Sequence, residues 1–255
     1  MISVYLDLGT TFTNKNKMLS KVKILVIVGI VILGNLTYGQ DKQFGFHYSI
    51  TEIDQNFDVD KVFYKDTGRK ITKRTFSELI RKNPNLYLEK EIDEHGNVVR
   101  YFYDPKNQVA NNTPNARNEL IEKGNFPNFK MTTIDQTKID LKELKGKLVI
   151  LRFELCANDF RFKKHEIQKL DEKINALANK KSVKSIIVFQ CNKNEVRKGF
   201  DLKNSNFELV ANGQNFIEKY GITRFPSTLL LDQNGNFIEK YSYSEDIDLE
   251  EFLKN

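Results

Sequence analysis

Residues 147–170 have the sequence KLVILRFELCANDFRFKKHEIQKL, which predicts a buried strand leading directly into a helix. The nearly continuous apolar run from Leu148 to Phe153 is typical of a strand covered on both faces inside a parallel sheet. From Phe160 to Leu170 the apolar residues recur at helical spacing. Asn158 or Asp159 is predicted to cap this helix, because its side-chain oxygen can accept a free backbone N–H. Helix N-termini beside buried strands favour anions and thiolates, so this junction is the first candidate site.

The chain beyond this junction alternates between strands and helices. Its pattern predicts strands at 183–190 and 227–232, helices at 194–199, 215–220 and 248–254, and a hairpin through Asn234-Gly235 into 236–241. Residues 124–255 therefore form a predicted α/β unit, a mixed sheet with helices on both faces.

A small α+β region is predicted before this unit, at residues 40–123. A helix capped by Thr72 or Thr75 precedes a hairpin with alternating polar and apolar residues. The polar, proline-containing stretch 104–114 indicates a linker or exposed loop. The predicted organisation is thus an upstream extension with a signal peptide at 1–39, the α+β region at 40–123, and the α/β domain at 124–255.

Residues 18–39 have the features of a secretory signal peptide. Lys21 and Lys23 precede an apolar core at 24–33, and small residues, Thr37 and Gly39, stand before a predicted cleavage site. We therefore expect an exported protein, periplasmic or secreted, whose translation starts at Met18. The alternative is an uncleaved anchor, which would be the only contact with a membrane.

The composition excludes several functional classes. Of 255 residues, 40% are hydrophobic and 29% charged, enough to form a core. The formal net charge is +6, and residues 1–39 carry four lysines against one aspartate, so the mature chain is only mildly basic. We therefore predict no nucleic-acid partner. The two cysteines, Cys156 and Cys191, form no CxxC or metal-binding spacing, so no cofactor and no metal are predicted.

Several passages in 124–255 carry a family resemblance. They are FPNF at 126–129, DLKELKGK at 140–147, LRF at 151–153, YGITRFPST at 220–228 and LLLDQNG at 229–235. In this order they resemble the extracytoplasmic thioredoxin-like proteins of the TlpA type, within the redoxin and peroxiredoxin superfamily. The resemblance implies a thioredoxin-like fold, thiol–disulfide chemistry and a cis peptide bond before Pro226.

The family's catalytic motif, W-C-x-x-C at the start of the helix, is not present. The resemblance places the two thiol positions on Asn158 and Arg161, and neither residue contains sulfur. A peroxiredoxin-like alignment places its cysteine near Lys163 or Lys164 and fails in the same way. The resemblance therefore implies the family's fold without the family's thiols.

Cys156 and Cys191 are the remaining candidates for catalysis. The resemblance implies that their strands are neighbours in the sheet, which would bring the two cysteines to one edge. Three interpretations stay open: buried thiols that only pack, a structural disulfide, or an unusual exchange-active pair.

Two functional hypotheses follow. The first is a binding or accessory protein that recognises an extended peptide or protein partner at the cis-proline face, around Pro226. The alternative is a thiol–disulfide oxidoreductase, or a peroxiredoxin-like antioxidant, that uses Cys156 and Cys191. Whether the protein is an enzyme is therefore left open. Arg161, Lys163 and Arg224 are either a basic pocket near the helix start or a solvated face.

Overall fold

The computed structural model describes residues 57–108 and 124–253, which belong to one unit spanning 57–255. The strands are β1 (Val62–Tyr64), β2 (Glu89–Ile92), β3 (Val98–Tyr103), β4 (Gly124–Asn125), β5 (Lys130–Thr132), β6 (Lys138–Asp140), β7 (Leu148–Glu154), β8 (Val183–Phe189), β9 (Phe207–Val210), β10 (Ser227–Leu231) and β11 (Asn236–Tyr241). The α-helices are α1 (Lys73–Lys82), α2 (Lys164–Ala176), α3 (Lys193–Gly199), α4 (Gln214–Lys219) and α5 (Leu249–Leu253). Short 3-10 turns occupy Val59–Lys61, Leu141–Leu144, Lys180–Ser182 and Ser244–Asp246.

A six-stranded mixed sheet with the order β4-β11-β10-β7-β8-β9 organises the larger part of the chain. Strands β7, β8 and β9 are parallel, whereas β10 pairs antiparallel with β7, and β11 with β10. All seven residues of β7 are buried, as its apolar run predicts. This arrangement confirms the predicted mixed α/β sheet with helices.

Side chains alternate along β7 and divide the apolar core into two layers. Val149, Leu151 and Phe153 pack with α4 and with the hairpin of β5 and β6. Leu148 and Ile150 face the other way, toward α2, α3 and α5. The alternation follows from the two-residue repeat of a strand, and it accounts for helices on both faces of the sheet.

Residues 57–108 form a smaller three-stranded sheet, β1-β3-β2, covered by α1. Thr72 caps α1 as predicted, since its side-chain oxygen accepts the backbone N–H of Thr75. The turn between β2 and β3 docks on α4, where Asn215 donates to the carbonyl of Gly96 at 2.8 Å. Gly96 has a φ of +79° and lies against the ring of Phe216, so the turn requires glycine for both backbone and space.

The predicted cap of the helix after β7 is wrong. Helix α2 begins at Lys164, and its N-cap residue, Lys163, makes no side-chain capping bond. Asp159 instead accepts the backbone N–H of Arg161 at 2.8 Å, which folds the segment into a local turn. Short polar side chains often favour such turns over helix, and here the helix starts later for that reason.

Several predictions fall wholly or partly outside the described residues. These include the signal peptide, the start at Met18, residues 40–56 and most of the linker. The proposed boundary between 40–123 and 124–255 stays a prediction. Within 57–108 and 124–253, no helix is both long and apolar enough to cross a membrane. Strand β9 was not predicted, because a strand of four residues is too short to give a clear sequence pattern.

Candidate functional site

Three segments leave the central sheet at one edge. The register pairs Phe153 of β7 with Ser227 of β10, and Glu154 of β7 with Phe189 of β8. The residues before β10, after β7 and after β8 therefore meet there. The peptide bond between Phe225 and Pro226 is cis, as the family resemblance predicts.

A disulfide joins Cys156 and Cys191 at this edge. The sulfurs are 2.08 Å apart, the two Cα atoms are 5.4 Å apart, and both residues are partly buried. The interpretation as two free thiols is therefore wrong, and the bond is consistent with both a structural disulfide and an exchange-active pair. The predicted proximity of the two strand ends is confirmed by the parallel pairing of β7 and β8.

Backbone hydrogen bonds hold Cys191 and the residues just before Cys156 independently of the sulfur bond. The N–H of Cys191 donates to the carbonyl of Leu155 at 3.1 Å, and the N–H of Gln190 donates to that of Glu154 at 3.0 Å. The carbonyl of Cys191 accepts the N–H of Asn212 at 2.9 Å. These bonds extend the β7–β8 ladder beyond the regular strands, so the disulfide connects residues already held together by the sheet.

Glu195 brings a carboxylate next to the disulfide. Its side chain closes a capping box at the start of α3, accepting the backbone N–H of Asn192 at 3.2 Å and the side-chain amide at 2.7 Å. The ligand atoms of Cys156, Cys191 and Glu195 all lie within 4.8 Å of one another. Sequence spacing did not predict this cluster. Residues 191 and 195 are only four positions apart across the capping box, but residue 156 meets them through the sheet register.

The turn after Cys156 packs closely against the end of α3. A Cβ at Gly199 would lie 2.9 Å from the carbonyl carbon and from the Cβ of Ala157. Real Cβ atoms do not approach this closely, so the contact requires glycine. The disulfide and this contact together fix the first residues of the turn.

Asn158 and Arg161, where the resemblance places the family's thiols, lie in this exposed turn before α2. The guanidinium of Arg161 donates to Asp159 at 2.9 Å, and this bond holds the pKa of the Asp159 carboxyl below its usual value. Arg161 also stands 5.1 Å from the ring centre of Phe160, whose side chain is 87% exposed. The arrangement offers an aromatic ring and a partly neutralised cation, and no nucleophile.

The other predicted basic residues form no closed site. Arg161, Lys163 and Arg224 are all exposed, and Arg161 is neutralised by Asp159. Lys164, at the peroxiredoxin-like position, forms an ion pair with Asp201 at 2.7 Å. These lysines and arginines therefore fit the alternative of a solvated face better than that of a basic pocket.

A buried charged cluster lies just inside the same edge. Arg152 donates to Glu154 at 2.7 Å, to Glu166 of α2 at 2.9 Å and to the hydroxyl of Ser244 at 2.8 Å. Burial raises the pKa of Glu154 to about 7, against the attraction of Arg152. The sequence contains one signal of this cluster that we did not use: charged residues at positions 152 and 154 share one face of an otherwise apolar strand.

The chain is similar to several known proteins. The sequence profile of the AhpC/TSA family matches residues 123–242. The thiol-disulfide oxidoreductase ResA of Bacillus cereus is 30% identical over 148 residues, 54% of this chain and 81% of that protein. ResA of Bacillus thuringiensis subsp. konkukian is 31% identical over the same shares. A solved thiol:disulfide interchange protein from Bacteroides sp. aligns with a TM-score of 0.44 and 22% identity, covering 53% of this chain and 92% of the other.

A mixed sheet covered on both faces, with a cis-proline beside the end of its central strand, defines a protein of the thioredoxin-like class. The similarity to ResA, which covers 81% of that protein, narrows the assignment from this fold class to one family. The chain belongs to the TlpA-type redoxin family, as the resemblance predicts, and carries Asn158 and Arg161 where that family's resemblance places thiols.

Proposed function

We propose that this chain is an exported thioredoxin-fold protein that binds an extended peptide or protein partner and performs no dithiol exchange at the family's active-site positions. One observation carries the proposal: Asn158 and Arg161, on which the family resemblance places the two thiol positions, lie in a turn that ends before α2 begins. Exchange requires a thiolate to attack a disulfide sulfur, and neither side chain can supply one.

Exposed aromatic groups at the cis-proline edge support a binding role. Phe160 projects from the turn after β7, and Tyr243 is 60% exposed two residues beyond Tyr241, which pairs with Thr228 of β10. Pro226 immediately precedes that strand. Aromatic side chains with a nearby arginine are the residues that dominate binding energy at interfaces, and the edge of an extended loop can pair with peptide backbone.

Two features support export. Residues 18–39 have the predicted signal peptide, and a disulfide joins the chain's two cysteines. Disulfides persist in oxidising compartments such as the periplasm and the extracellular space. Amino-terminal sequencing of the protein recovered from periplasmic and culture fractions tests this step, and a mature start upstream of Gln40 contradicts cleavage at the predicted site.

Binding can be tested with an unfolded probe, a reduced and carboxymethylated protein carrying a fluorescent label. We expect fluorescence anisotropy to report saturable binding to the full chain. Phe160→Ser should weaken the affinity about tenfold or more, in the range expected for an interface aromatic. Tyr87→Ser is the matched control, because Tyr87 is a 48% exposed aromatic in the separate small-sheet region. Equal loss in both variants, or no saturable binding, would contradict the proposed surface.

The second candidate function is thiol–disulfide exchange through Cys156 and Cys191. It is favoured by the partial exposure of this disulfide at the edge where the family's site lies, and by the oxidoreductase name of the ResA relatives. An insulin-reduction assay with a dithiol distinguishes the two candidates. Turnover by the unmodified chain that is lost in Cys156→Ser would replace the binding proposal with this one. We expect no turnover above the dithiol alone.

A further inference from the structure

The disulfide and Glu195 together contain three potential metal ligands. We propose that reduction of the Cys156–Cys191 disulfide converts this cluster into a binding site for a thiophilic divalent cation, with zinc the best fit. The ligand atoms already lie within 4.8 Å of one another in the oxidised state. The inference goes beyond the proposed partner binding and does not depend on it.

The donor set matches the preferences of zinc. Zn²⁺ binds thiolates at about 2.3 Å and carboxylate oxygens at about 2.0–2.2 Å, in tetrahedral geometry. Tetrahedral bonds of that length separate two sulfurs by about 3.8 Å, which is inside the present envelope of 4.8 Å. Cys156, Cys191 and Glu195 supply three ligands, and water can supply the fourth. Harder cations such as Mg²⁺ prefer all-oxygen sites, so the two sulfurs select against them.

The backbone keeps the ligands in place when the disulfide is open. Cys191 is held on one side by its N–H bond to Leu155 and on the other by the N–H of Asn212. The Cα atoms of the two cysteines, 5.4 Å apart, are therefore positioned by the sheet rather than by the sulfur bond. After reduction, only side-chain rotation is needed to separate the sulfurs.

Asn192 orients the carboxylate of Glu195. Its backbone N–H and its side-chain amide both donate to Oε2 of Glu195, at 3.2 and 2.7 Å. No hydrogen bond to Oε1 of this carboxylate is present among the described residues, so that oxygen is available to a cation. Outer hydrogen bonds of this kind orient ligands and raise metal affinity.

The two chemical steps balance without an unstated reactant. A dithiol reductant transfers two electrons and two protons to the disulfide, which gives two cysteine thiols and an oxidised dithiol. Zn²⁺ then replaces the two thiol protons, which pass to solvent as two Zn–S bonds form. The oxidised protein has no thiolate to offer. The site is therefore present only in the reduced state, and its formation depends on the redox state of the surroundings.

A titration of the full chain tests the site directly. The protein is reduced with a dithiol, freed of reductant without oxygen and titrated with Co²⁺, whose bonds to thiolates give charge-transfer absorption; Zn²⁺ then displaces the Co²⁺. We expect one equivalent to bind to the reduced chain and none to the oxidised chain. Equal binding by the oxidised and reduced forms overturns the proposal, and this comparison requires no variant.

Variants identify the ligands. Cys156→Ser and Cys191→Ser should each abolish the charge-transfer band of the two-thiolate site. Loss of an outer-shell partner costs about 10–100-fold in metal affinity, so Glu195→Gln, which removes a direct ligand, should weaken zinc binding by about tenfold or more. Glutamine can still close the capping box, which preserves the start of α3. Glu172→Gln, on the exposed face of α2, is the control. Equal affinities of the two glutamine variants would remove Glu195 from the site and overturn the three-ligand proposal.

Discussion

Arg152 donates from Nε to Oε1 of Glu154 across 2.7 Å, and the two side chains are 0% and 1% exposed. Glu166 shares the same guanidinium, so one buried cation faces two carboxyl groups. Unpaired charge inside a protein is costly, and this cluster is neutral only when one carboxyl holds a proton. This explains why burial raises the pKa of Glu154 to about 7 in spite of the attraction of Arg152.

The raised pKa of Glu154 predicts that stability falls as pH rises. The folded state holds the proton up to about pH 7, whereas the unfolded carboxyl releases it near its ordinary value of 4.5. Between these values the folded state binds more protons, so the free energy of unfolding decreases with increasing pH by up to about 3 kcal/mol. Above about pH 7 the protonated Glu154 no longer contributes to the free energy of unfolding. Carboxyl groups with a lowered pKa, such as that of Asp159, change the free energy of unfolding only at lower pH.

Urea unfolding of Glu154→Gln against the unmodified chain, at about pH 5 and about pH 8, isolates this contribution. Glutamine keeps a hydrogen-bond acceptor for Arg152 without titrating. The difference between the two proteins should change with pH, to the advantage of the unmodified chain at the lower pH. A pH-independent difference would mean that Glu154 does not titrate in this window.

Arg152→Leu should destabilise the fold by about 3–5 kcal/mol, because it leaves two buried carboxyl groups without their cation. Arg100→Leu is the matched control, since Arg100 pairs with Glu91 on the surface, where an ion pair contributes about 0–1 kcal/mol. Thermal and urea unfolding measure both. Similar losses in the two variants would contradict the structural role of the buried cluster.

Removing the disulfide with Cys156→Ala and Cys191→Ala together should lower the free energy of unfolding by about 3–4 kcal/mol on the chain-entropy model, given the sequence separation of 35 residues. The unmodified chain should lose a similar amount when a reductant is present. The free energy of unfolding of the double variant should not change when the reductant is added. If reductant leaves the unmodified protein unchanged, the cysteines are not paired in solution.

The sequence predicts the sheet better than it predicts the site. The apolar run of β7, the hairpin turn at Asn234-Gly235 and the cap at Thr72 are local signals, and local physics determines each of them. The start of α2 was misplaced because the side chain of Asp159 can serve either a cap or a turn, and its bond to Arg161 decides between them.

The two clusters around the site depend on contacts that are distant in sequence. Glu195 meets Cys156 only because β8 lies beside β7, and Arg152 meets Ser244 across 92 positions. No spacing rule encodes such meetings, so they follow only from the register of the strands. The disulfide is one of the predicted alternatives because the chain has two cysteines and the family resemblance implies that their strands lie side by side.

Gly199→Ala should destabilise the protein by about 1–3 kcal/mol through overpacking, because the new methyl group would meet the backbone of Ala157 at 2.9 Å. The effect should be local to the turn that carries Asn158. The backbone amides of this turn should be the first to lose their protection from hydrogen exchange. Lys198→Ala, an exposed neighbour in α3, is the control and should have little effect. Equal stability of the two variants would show that the turn can move away from α3 without cost.

Restoring cysteines at the family positions should not restore the family's chemistry. Asn158→Cys and Arg161→Cys, in a background with Cys156→Ala and Cys191→Ala, would recreate the spacing of the missing motif. However, α2 begins only at Lys164, so both new thiols would lie in the preceding turn rather than at the helix N-terminus. A thiol that lacks this stabilisation keeps a pKa near its ordinary value of about 8.5.

The alkylation rate of the restored thiols as a function of pH measures that pKa, and insulin reduction measures the activity. We expect no thiol titrating well below the ordinary value and no turnover above that of the background variant. The loss of Arg161 also frees the Asp159 carboxylate, whose negative charge further disfavours a thiolate nearby. Rapid alkylation at acidic pH together with turnover would contradict this prediction, because it would mean that cysteines at these two positions suffice for the family's chemistry.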